Sequence, residues 1–74
     1  MMARPKLLKV EETIGYVFWT YEGTDLFIRL NARWGAFVPK FFVHRIGREE
    51  PSLVTRDFDE AERFIQQEID HARA

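Results

Sequence analysis

Side chains able to act as nucleophile, base or metal ligand are few in this 74-residue sequence, and their spacing does not bring a set together. The single serine, Ser52, follows Pro51; cysteine is absent; and the two histidines, His44 and His71, stand far apart in the chain. A nucleophile needs a base within hydrogen-bonding reach, and a metal needs three or four converging donors. Neither spacing is present. The four glycines (15, 23, 35 and 47) are isolated from one another, so they read as turns or bulges and not as a phosphate-cradling loop. Carboxylates recur at Glu11-Glu12, at Glu49-Glu50 and along the C-terminal segment, where acidic runs read as solvated faces. These residues point to a chain that is not an enzyme and uses no cofactor and no metal. His44 reads as an ordinary strand histidine and His71 as a cap-compatible charge near a helix end.

The residues suited to recognition are more concentrated. Nine of the eleven aromatic side chains fall between Tyr16 and Phe42. Residues 26–48 also carry five basic side chains (Arg29, Arg33, Lys40, Arg45 and Arg48) and no acid. Acidic stretches flank them, with Glu11, Glu12, Glu22 and Asp25 before and Glu49, Glu50, Asp57, Asp59, Glu60 and Glu62 after. The net charge of -1 therefore conceals alternating blocks of opposite sign. Rings bring contact area at low entropic cost and arginine brings forked hydrogen bonding, so their mixture is typical of interaction surfaces. The candidate partner-binding residues are Phe27, Arg29, Arg33, Trp34, Lys40 and Arg45 from the basic block, with Glu49, Glu50, Asp59 and Glu62 from the acidic one.

The length suffices for one small domain covering residues 1–74, and no apolar run approaches the roughly 20 residues of a membrane span. The first residues are basic but have no apolar core of a secretory signal, so the expected setting is soluble and cytoplasmic. Residues 1–12 suggest a loose arm or a short first strand. The β-branched and aromatic run Thr13–Tyr21 suits a strand, and Glu22–Asp25 a hairpin turn. Residues 25–33 alternate, with Leu26, Ile28, Leu30 and Ala32 on one face and Phe27, Arg29, Asn31 and Arg33 on the other. Trp34–Ala36 breaks that pattern and Pro39 disfavours a paired strand. A third strand is expected over Lys40–Ile46, and Leu53–Thr55 forms a brief fourth. A helix over about residues 58–72 is signalled by Asp57 at the N-cap, with Glu60 in capping-box position. On it Phe58, Ala61, Phe64, Ile65, Ile69 and Ala72 form one apolar stripe, interrupted by Glu68. Glu68 reads as a solvated edge position, or else as the partner of a strand arginine.

The fold class expected from this order is α+β: an antiparallel meander of three to four strands, packed on one face by a single C-terminal helix. One helix covers one face, yet the strands are apolar on both. If Leu26, Ile28 and Leu30 face the helix, then Phe27, Arg29 and Arg33 lie on the open side among aromatics. Whether Tyr16 and Phe18 or Val17, Trp19 and Tyr21 face the helix is left open by the pattern.

Such a chain is expected to bind a protein partner, as a monomer or a homodimer, with no membrane association. In size and layout it is similar to the small inhibitors encoded by phages and mobile elements, a group that includes anti-CRISPR proteins. That similarity implies an inhibitor or adaptor that occupies a site on a larger complex, where the acidic residues would mimic phosphate. The alternative is a small nucleic-acid-binding domain with Arg29, Arg33, Lys40, Arg45 and Arg48 on phosphates. The stretch Arg33–Phe41 agrees with the aromatic strand motif of RNA-recognition domains only at Arg33, Ala36, Phe37 and Val38, and the first helix of that fold has no counterpart, so the chain is not assigned to it.

Overall fold

A computed structural model describes residues 4–31 and 40–73. Five strands, β1 (Leu7–Thr13), β2 (Tyr16–Tyr21), β3 (Leu26–Asn31), β4 (Phe41–Arg45) and β5 (Leu53–Thr55), precede one helix, α1 (Phe58–Arg73). The strands form one antiparallel sheet in sequential order, β1-β2-β3-β4-β5, with α1 against one face. The architecture is α+β as expected, but with five strands instead of three to four.

The additional strand is β1. Its sequence, LLKVEET, carries no continuous apolar face, so alternation does not announce it. It becomes a strand by backbone pairing to β2 across the two-residue connection Ile14-Gly15, with Thr13 opposite Tyr16. Gly15 sits at φ +86°, a left-handed conformation that costs a side-chain-bearing residue energy. The run from Thr13 to Tyr21 is therefore not one strand: Ile14 lies in the turn, fully exposed.

Register decides which side chains share a face. Trp19, Ile28, Val43 and Leu53 stand in one row across β2–β5, on the helix side. Phe18, Arg29, Phe42 and Val54 form the adjacent row on the opposite side, and Thr20, Phe27 and His44 the next one. Hence Val17, Trp19 and Tyr21 face the helix while Tyr16 and Phe18 face away.

The core consists of Tyr21, Leu26, Ile28 and Val43 from the sheet with Ala61, Ile65 and Ile69 from the helix. Trp19, Phe41 and Phe58 close one end as a three-ring cluster, with centroids 5.0–6.1 Å apart. The helix begins as the sequence predicts at Asp57, whose carboxylate accepts the Asp59 N–H at 2.9 Å. The reciprocal half of a capping box is replaced: the Asp57 N–H donates to Thr55 Oγ1 at 3.1 Å. Within the apolar stripe Ala72 is exposed. Among the described residues no helix is long and apolar enough to cross a membrane.

The helix packs on β3, β4 and β5, so β1 lies beyond its reach and all seven of its residues are exposed.

Candidate functional site

The sheet face opposite α1 gathers Tyr16 and Phe18 from β2, Phe27 and Arg29 from β3, and Phe42 and His44 from β4. Period-two alternation of three adjacent strands places them side by side. The rings form a continuous layer: Tyr16 stacks on Phe18 at 6.0 Å, Phe18 meets Phe27 at 6.0 Å, and Phe27 stacks on the His44 imidazole at 5.6 Å. The Arg29 guanidinium lies over Phe42, 4.8 Å from the ring centroid, and 5.8 Å from that of Tyr16. Planar cation and ring face attract each other there through the ring quadrupole.

Tyr16, Phe18, Phe27, Arg29 and His44, with Arg48 and Glu49 from the β4–β5 connection, line an open depression of about 340 Å³. Phe18 and Phe27 are half-buried and Tyr16 is exposed, while Arg48 and Glu49 stand exposed at the rim. His44 is the most enclosed member, 6% exposed, and its Nε2 has no hydrogen-bond partner. Arg29 Nε is likewise buried without one. Burial, and then the nearby Arg29 charge, hold the His44 pKa below the ordinary histidine value, so its imidazole is neutral near pH 7. The surface thus offers ring faces and one guanidinium held over two of them, while His44 Nε2 and Arg29 Nε stay buried beneath it without partners. Among the described residues no group of three or more His, Cys, Asp or Glu side chains converges to hold a metal.

The candidate residues named from sequence are not brought together as one patch. Phe27 and Arg29 share the open face, with Glu49 at its rim and Glu50 exposed in the same loop. Lys40 is exposed at the start of β4. Arg33 and Trp34, the break at Trp34–Ala36, Pro39 and all but the last two residues of the stretch Arg33–Phe41 fall at 32–39, outside the described residues. Arg45 belongs elsewhere: it pairs with Asp25 at 2.6 Å and with Glu68 at 3.8 Å, at the helix side of the sheet. Glu68 is therefore the half-exposed partner of a strand arginine, and Arg45 is not available beside Arg29 as a phosphate contact.

Glu62 requires the largest correction. Expected on an acidic surface, it is buried beneath the helix, 9% exposed, and accepts the Tyr21 hydroxyl at 2.9 Å. Burial and the adjacent Glu62 carboxylate drive ionisation of Tyr21 far above its usual range. Arg4 reaches both Glu62 (3.8 Å) and the exposed Asp59 (3.5 Å), and Asp57 is occupied by the cap and by Arg63 at 3.9 Å. At the acidic helix start Glu62 is thus internal, Asp57 and Asp59 carry long ion pairs at the surface, and Glu60 is exposed. What sequence reasoning missed was His44 as the closed floor of the aromatic layer; its parity with Phe42 and Phe27 across the register was the available signal.

No family model matches this chain, and comparison with curated proteins and with solved structures likewise gives no match.

Proposed function

We propose that this chain is a non-enzymatic protein-binding module of the inhibitor or adaptor kind, acting by covering a site on a larger complex. The observation that carries this reading is the ring layer around Arg29 on the sheet face that α1 does not cover. Large rings around a pre-positioned arginine resemble the anchor composition of protein interfaces, and stacking has already taken much of their conformational freedom. The similarity in size and layout to phage and mobile-element inhibitors agrees with it. Nucleic acid is the weaker reading, because the basic residues that adjoin in sequence divide between the two sheet faces and Arg45 is neutralised by Asp25 and Glu68.

The test uses immobilised wild-type chain and an Arg29→Met/Arg48→Glu variant, each exposed to host lysate with and without nuclease. Methionine keeps the apolar stem of Arg29 on Phe42 and Tyr16 while removing its charge. A protein retained by the wild type after nuclease, and lost from the folded variant, is the expected result. Recovery of nucleic acid alone, abolished by nuclease or by about 200 mM salt, replaces this reading with the nucleic-acid one.

A further inference from the structure

The geometry points to the free edge of β1 as a self-association edge, where two copies pair antiparallel about a two-fold axis at Val10 and join their sheets into one. Among the described residues β1 pairs only with β2, and α1 does not reach it. Leu7, Leu8 and Val10 are 46%, 62% and 46% exposed, which is unusual for the apolar residues of a strand.

The hairpin sets which backbone groups are free. Thr13 and Tyr16 flank a two-residue connection, and beyond the bulge between Leu7 and Lys9 the Glu22 N–H donates to the Lys6 carbonyl at 2.9 Å. Hydrogen-bonded pairs alternate between these ends, so Thr13, Glu11 and Lys9 direct their amides toward β2. The N–H and C=O groups of Val10 and Glu12 therefore point to the free edge.

A two-fold axis normal to the sheet keeps every side chain on its own face, so residues of like parity meet. Centred on Val10, it exchanges two hydrogen bonds between Val10 and Val10 of the second copy. It also sets Lys9 opposite Glu11 of the second copy, and Glu11 opposite Lys9, in the closely spaced non-hydrogen-bonded positions. Centring on Lys9 or on Glu11 would oppose like charges, which is destabilising across a strand pair. Charge thus favours Val10 over its two neighbours as the centre, and the bulge at Leu7/Lys9 disfavours Leu8. Lys9 and Glu11 are both exposed and already lie 3.8 Å apart along their own strand. The bulge at Leu7/Lys9 ends regular pairing on one side, so the contact is short and the dimer concentration-dependent. The same Lys9 disfavours any strand that lacks an acid opposite it. The resulting interface is isologous and closes at two copies.

Sedimentation velocity over a concentration series at low salt tests this. The wild type is expected to pass from monomer to dimer as concentration rises. Val10→Pro removes an N–H that no described strand uses, so it should keep the circular dichroism of the fold and lose the dimer. Lys9→Glu and Glu11→Lys should each lose the dimer, and the combined exchange should restore it, because the swapped pair is again complementary. A wild type that stays monomeric throughout, or a dimer that persists undiminished in Lys9→Glu or in folded Val10→Pro, overturns the proposal. Should Val10→Pro fail to fold, the charge series decides by itself.

Discussion

His44 and Glu62 are both polar side chains buried in a small sheet protein, and the fold treats them differently. Glu62 has the Tyr21 hydroxyl at 2.9 Å and Arg4 at 3.8 Å. Tyr21→Phe removes the donor and leaves a buried carboxylate oxygen unanswered, so it is expected to cost about 1–3 kcal/mol in denaturant unfolding. A neutral result would mean that water or Arg4 already serves that oxygen. His44 has no partner on Nε2 and titrates below its unfolded value. As pH falls through about 6.5 the unfolded chain takes up the proton first, so stability declines toward the folded pKa and then levels. In His44→Phe this part of the decline should vanish, and stability at pH 7 should be unchanged or higher, as thermal melts across pH 4–8 (about the range in which histidine titrates) would show. Glu62 was partly legible in sequence. At 100° per residue it falls only about 20° beyond Ile69, at the border of the apolar stripe. Its hydroxyl partner, 41 positions away, was not.

Among the elements, legibility follows how much of each is decided locally. Strand β3 alternates because one of its faces lies on the core and the other does not; Leu26 and Ile28 are buried where the pattern puts them. The helix start is local chemistry, a carboxylate accepting the N–H two residues on, and its position is as predicted. For β1 the pattern left a loose arm or a short strand open because neither face is buried, and for β2 it gave the strand but not its facing because both faces are apolar. These placements predict a contrast between two isoleucines. Ile28→Ala should cost about 2–5 kcal/mol by opening a cavity between sheet and helix. Ile14→Ala, in the exposed turn before Gly15, should stay within about 0.5 kcal/mol. Equal effects in equilibrium unfolding would mean that the β1–β2 turn is misplaced.

At the scale of the whole molecule, folding redistributes the charge blocks of the chain. Arg4 crosses from the N-terminal segment to the helix start, Arg45 turns to Asp25 and Glu68, and Arg29 is left among rings on the other face. Two surfaces result, the aromatic face and the β1 edge, and the variants proposed for one leave the residues of the other in place. The sequence by itself determined the α+β class, the order of strands and helix, the capped helix start and the buried face of β3. Each of these rests on interactions within a few residues or on an unambiguous period. The tertiary structure alone decided which rings face the helix, that Glu62 is internal, that Arg45 and Arg29 are parted, and that β1 is a strand with an open edge. Those outcomes depend on register and on the limited reach of one helix across five strands, and neither is encoded in the spacing along any single segment.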